Sequence, residues 1–320
     1  MYSMFVGHGL LAFAIVALVA MSADVDRDRA TALAVVAGLF ATVPDVDMVY
    51  ALTGLVGVPG SSPLAVAESF WSASTVVHRS MTHSLAIAIP ATVAFALVGR
   101  STIATAVSFL LAASLIALGT LVSGPITGLV ALAFVATGLL VGAAATRHGL
   151  GPAAVAGTAF VGLVTHPFGD VLTGQPPELF YPFPFAVFDG RVALSADPTL
   201  HLLGAFGAEL AAIWLGVYAF SRLRERHLRS ALKPRAAVGA AYATAVLVLR
   251  PPTVDGSYTF VFSVLAVGFV GAVPPRKHLP EGLTAVTTGL AGVTVAGMAY
   301  LLAYLTMDLA PLLALAGQPF

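Results

Sequence analysis

Cysteine is absent from the 320 residues. That excludes disulfides, thiolate nucleophiles, iron–sulfur clusters and Cys-ligated zinc. Charge is scarce: 15 basic and 15 acidic residues make up 9% of the chain, against about 25% in an ordinary soluble domain. So few ionised groups cannot cover a water-exposed surface of this size. The two signs cancel, so no acidic or basic field marks a nucleic-acid partner, and none is expected. What remains is apolar: 58% of the residues are hydrophobic and the mean hydropathy is +0.95. Such a composition makes the bilayer the solvent and predicts a multi-pass protein of the cell membrane, in contact with lipid.

A membrane crossing needs about 20 mostly apolar residues. Segments that meet or approach this run over 4–21, 31–51, 84–99, 101–122, 127–146, 152–166, 200–221, 236–249, 258–273 and 283–305. They are rich in Ala, Leu, Val and Gly and lack the alternation of barrel strands. The expected fold is therefore all-α, a polytopic transmembrane helical bundle of about ten spans. The first segment has no basic residue before its apolar run and carries His8, so it reads as a span and not as a cleaved signal. Six basic residues crowd residues 222–235, which places that loop on the cytoplasmic side. Counting spans outward puts twelve of the fifteen basic residues inside, leaving Arg79, Arg191 and Arg250 outside.

The polar residues gather on the opposite side. His8 sits near the outer end of the first span. Pro44-Asp45-Val46-Asp47 ends the second, His78-Arg79-Ser80-Met81-Thr82-His83-Ser84 closes the next outer loop, and His166-Pro167-Phe168-Gly169-Asp170 ends the sixth. A carboxylate at the membrane edge is costly unless paired or metal-bound. His166 and Asp170 stand at i and i+4, on one helical face, a spacing that serves a shared metal or a His oriented by its carboxylate. Asp45 and Asp47 point apart on a regular helix but can converge at an end irregular enough for Pro44. His8, Asp45, Asp47, His83, His166 and Asp170 are the candidate ligands. Together they suffice for one or two divalent ions, zinc first and Mn, Mg or Fe as alternatives. Arg79 and His78 are the candidate catalytic residues, with Arg79 expected to hold an anionic group such as a phosphate.

In order and residue type these motifs resemble the YdjM family, multi-pass membrane proteins described as metal-dependent hydrolases. The family pattern is an early His, a PDxD, an HRGxTHS and a later HxxxD. Asp45, Asp47, His78, Arg79, Thr82, His83, Ser84, His166 and Asp170 match it position by position, with Ser80 where the family has glycine. The resemblance covers about residues 1–185. It implies a membrane-bound metal-dependent hydrolase; the span count adds an external site, and the site's position with Arg79 adds metal-activated water acting on a lipid or phosphoester as the expectation.

Two domains are expected: a metal-site membrane domain over 1–199, with six spans and an outer Pro/aromatic loop, and a four-span extension over 200–320. The loop after His166 suits an interfacial lid through Phe180, Tyr181, Phe183, Phe185 and Phe188. His201 is a possible further ligand. Glu209, the acid deepest inside a span, keeps a transporter or permease open as an alternative, and a scaffold with a structural metal is a third reading.

Overall fold

The computed structural model describes residues 5–56, 62–74, 79–273 and 281–316. They are mainly helical, and no strand occurs among the described residues. The chain divides into two compact units. Ser3–Val192 with Tyr218–Leu223 form the first, and Ala193–Val217 with Arg224–Phe320 the second.

The first unit opens with α1 (Phe5–Ser22) and α2 (Arg27–Thr42). Asp24 turns the chain between them at a φ of 53°. The Asp26 carboxylate then caps α2 by accepting from the N–H groups of Asp28 and Arg29, which satisfies donors that no preceding turn can reach. Small residues bring the two helices close: Ala14, Ala17, Ala30 and Ala34 are fully buried against each other. Past Val43 the chain tightens into a 3-10 segment, Pro44–Leu55. Pro44 stands at its first position and has no N–H to continue the α2 ladder. Helix α3 (Pro63–Ser74), a 3-10 turn at Met81–His83, and helices α4 (Leu85–Leu97), α5 (Thr102–Ser123), α6 (Pro125–Arg147) and α7 (Pro152–Asp170) complete the unit. Phe95 is its hub, 5.7 Å from Phe40 and 5.9 Å from Phe134 between ring centroids.

One approach sets the position of α7. A Cβ on Gly162 would lie 2.7 Å from both the Ala37 carbonyl oxygen and the Ala41 nitrogen. Only glycine lets α7 lie this near the α2 backbone, and the side chain four residues later is His166.

In the second unit, α8 (Pro198–Leu223) contributes its residues up to Val217. It is followed by α9 (Leu228–Ala231), a 3-10 segment at Pro234–Leu247, α10 (Tyr258–Ala266) and α11 (Gly282–Ala316). Phe260 lies 5.7 Å from Phe206 and 5.1 Å from Tyr300. The indole N–H of Trp214 donates to Thr294 Oγ1 at 2.9 Å.

Among the described residues four helices are long and apolar enough to cross a membrane: Thr102–Ser123, Pro125–Arg147, Pro198–Leu223 and the Gly282–Met307 part of α11. A fifth is counted if Arg27–Thr42 and Pro44–Leu55, bent by 42°, form one broken span. The ten expected from hydropathy are thus reduced. The segment at 84–99 yields a 13-residue helix, about 20 Å long at 1.5 Å per residue against a hydrocarbon core of about 30 Å. The segment at 236–249 forms a 3-10 helix. Val6–Ser22 and Tyr258–Ala272 are apolar but short.

Candidate metal centre

Four pieces of the first unit supply the centre: α1, the start of the 3-10 segment, the Met81–His83 turn and the end of α7. His166 Nε2 lies 2.9 Å from His83 Nε2, 3.6 Å from Asp45 Oδ1 and 3.7 Å from Asp170 Oδ2. His83 Nε2 is 3.1 Å from Asp170 Oδ2, and His8 Nε2 is 3.6 Å from Asp170 Oδ1. Two groups here can hold an ion: His8 with His166 and Asp170, and Asp45 with His83 and His166. Asp45, its side chain 7% exposed, is the least enclosed of the five.

The second nitrogen of each central imidazole decides its tautomer. His166 Nδ1 lies 2.6 Å from the Ala41 carbonyl oxygen, which can only accept, so Nδ1 carries the proton. The Thr82 hydroxyl donates to Asp47 Oδ2 at 2.8 Å, and its oxygen lies 2.9 Å from His83 Nδ1. With its own hydrogen spent, that oxygen accepts, and His83 is also protonated at Nδ1. The two Nε2 atoms lie 2.9 Å apart, and with both rings neutral their lone pairs would face each other, an arrangement that favours a cation between them. This is the orientation that backbone and carboxylate partners impose on metal-binding histidines.

The polar atoms left over point the same way. His8 Nε2, both Asp45 oxygens and Asp170 Oδ2 are buried without a hydrogen-bond partner. Such atoms cost free energy unless something binds them. Separations of 2.9–3.7 Å between donor atoms suit a shared ion bonded at about 2.0–2.2 Å to nitrogen and oxygen. With no sulfur in the set, it suits a borderline or hard divalent ion.

Two expected roles change. Residues two apart on a 3-10 segment lie about 240° apart around its axis, so Asp45 faces the centre while Asp47 faces away from it. Asp47 was expected as a ligand; its Oδ2 instead takes the Thr82 hydroxyl, the Arg79 N–H at 3.4 Å and the far side of the His83 ring at 3.5 Å. Arg79 was expected to hold a substrate anion, but its guanidinium is turned inward and buried. Nη2 donates to Asp170 Oδ1 and Thr173 Oγ1, each at 2.8 Å. Nη1 donates to the carbonyls of Asp170 and Gln175, each at 3.0 Å, and to that of Thr173. The side chain thereby caps the C-terminus of α7 with a positive charge. His78 lies outside the described residues. His201 belongs to the second unit, where its Nδ1 accepts the Leu194 N–H at 3.1 Å, and it is in neither ligand group. Glu209 is buried in α8.

A family model of the YdjM inner membrane protein matches residues 3–249. The chain belongs to the YdjM inner membrane protein family. With its apolar helices, this makes it a membrane protein. The YdjM match runs past residue 185, where the sequence resemblance was expected to end, and takes in α8 and the 3-10 segment Pro234–Leu247. No curated protein and no solved structure matches the chain.

Sequence reasoning missed the groups that orient the ligands. Gly162 and the Ala41 carbonyl have no chemical signature. Thr82 did, since it directly precedes His83 in the matched motif.

Proposed function

We propose that this YdjM protein is a membrane-embedded metal-dependent hydrolase, acting at the external face on a lipid or phosphoester. The observation that carries the reading is the convergence of His8, Asp45, His83, His166 and Asp170 with unpartnered buried donor atoms among them. Zinc is the first choice of ion, with Mn, Mg and Fe as alternatives. A divalent ion in such a set polarises a phosphoryl oxygen and lowers the pKa of a water ligand, supplying a nucleophile at neutral pH.

The chain's own residues divide the work. His83 and His166 present Nε2 lone pairs, held by Thr82 and Ala41. Asp170 offers Oδ2, because Arg79 holds Oδ1. Asp45, the least enclosed of the five, marks the side nearest to an approach for substrate. The external placement is supported by the crowding of basic residues at 222–235 and 27–29 and assumes that the shorter apolar helices also cross, as in the ten-span count.

The test is metal content and hydrolysis of a phosphodiester, measured on detergent-purified protein. His166→Ala and Asp170→Ala are expected to abolish both. Full activity after stripping the metal with a chelator would overturn the reading. A second reading, a scaffold with a structural ion, is favoured by the near-complete burial of the cluster. It predicts that chelation lowers the melting temperature of a protein with no hydrolytic activity before treatment.

A further inference from the structure

The first unit holds a cavity of about 490 Å³ over the loop that follows α7. Its walls include the rings of Tyr181, Phe183, Phe185 and Phe188, together with Ser123 and Glu178. Among its described lining residues, Glu178 is the one charged at neutral pH. Phe183 and Phe185 are adjoining walls, with ring centroids 6.3 Å apart and planes tilted by 32°. An anionic carboxylate beside several aromatic rings is a chemistry that selects an organic ammonium ion, by charge and by attraction to the ring faces.

The walls are held from behind. Ser84 Oγ donates to the carbonyls of Leu179 and Tyr181 at 3.2 and 2.9 Å. The Leu85 N–H donates to the Leu179 carbonyl at 2.8 Å. Tyr181 is buried, and its hydroxyl pairs with Ser123 Oγ at 3.1 Å. The Glu178 N–H donates to the Arg79 carbonyl at 2.9 Å. Arg79 thus joins the backbone of one lining residue, Glu178, through its carbonyl and Asp170 through its guanidinium.

From this we infer that the cavity is the seat of the ammonium group of a zwitterionic phospholipid headgroup. Glu178 supplies the counter-charge, and Phe183 and Phe185 supply the ring faces. The source is lipid because the outer rim is apolar and exposed, with Phe185 at 67% and Val187 at 54%, which suits the membrane interface and not a water-facing receptor. The inference rests on the hydrolase reading in one respect: it names zwitterionic phospholipid as the substrate class.

The test uses the full chain purified with its metal and reconstituted in nanodiscs of equal phosphatidylcholine and phosphatidylglycerol. Retained lipid is counted by native mass spectrometry and metal content is measured on the same sample. Phosphatidylcholine is expected to be retained about tenfold over phosphatidylglycerol. Glu178→Gln and, separately, Phe185→Ala are expected to remove most of that preference with metal content unchanged, and soluble phosphocholine should compete. Equal retention of the two lipids, or a preference unaltered in both variants, overturns the inference. Binding of tetramethylammonium that depends on Glu178, without a lipid preference, overturns the lipid source. Metal present without lipid preference leaves the metal reading standing and sinks this one. Lipid preference in a protein that binds no metal does the reverse.

Discussion

At His83 and His166 two rings are held with their Nε2 atoms 2.9 Å apart, and neither holding group is among the candidate ligands of the two groups. Thr82 and Asp47 hold one ring; the Ala41 carbonyl holds the other. Partners of this kind tune metal affinity by about 10–100-fold. Asp47→Asn is therefore expected to weaken binding by about that factor without abolishing it, which a competition titration against a fluorescent zinc chelator will read. Arg79→Lys keeps the charge but loses the planar fork that reaches Asp170 Oδ1 and the α7 carbonyls together; the same titration should show a comparable loss. Asp197 offers a test in the second unit. The Leu200 N–H, the Tyr304 hydroxyl and the Thr199 N–H donate to its carboxylate and hold its pKa below the usual range. Because the folded pKa lies below the unfolded one, the stabilisation is full at neutral pH and is lost as pH falls through the folded value. The melting-temperature gap between the natural protein and Asp197→Asn should be present at pH 7 and close as pH falls below the usual aspartate range.

Among the helices, the pairing of α2 with α7 matters most to the centre. Gly162 has no room for a Cβ against the α2 backbone, and overpacking of this kind costs about 1–3 kcal/mol. Gly162→Val should lower the melting temperature and, by shifting His166 away from the Ala41 carbonyl, reduce metal content; an unchanged metal content would show that α7 is not positioned by this contact. This element also marks where sequence reading succeeds and where it stops. His166 and Asp170 were legible because i, i+4 spacing is a property of any helix, and the Asp45 and His83 candidates because polar residues are conspicuous in so apolar a chain. The inward turn of Arg79 was not legible, since three of its partners are carbonyls 91–96 residues away and carbonyls are the same in every residue. Of the ten spans, four or five of the described helices meet the length for crossing, because hydropathy registers composition, whereas Pro44, the 13-residue α4 and the 3-10 winding of Pro234–Leu247 set the length and form of each helix.

For the whole molecule, an ion bound only by the folded state stabilises it by mass action, about 2.7 kcal/mol at a concentration 100 times the dissociation constant. Dialysis against a chelator should lower the melting temperature and restoring zinc should recover it; His201→Ala, in the second unit, should leave this shift unaltered. With Arg79 occupying Asp170 Oδ1, the expected stoichiometry is about one ion per chain. The positions of the ligands along the chain have a consequence for biogenesis. Residues 8, 45 and 83 leave the ribosome well before 166 and 170. At about 5–20 residues per second, the last two arrive some 4–17 s after His83. On the proposed reading, the earlier donors form an incomplete chelate until α7 enters beside α2, and metal capture would follow the seventh helix. Nascent chains arrested before residue 166 should therefore hold no ion, while those arrested well beyond 170 should hold one, making the metal a timer for insertion order.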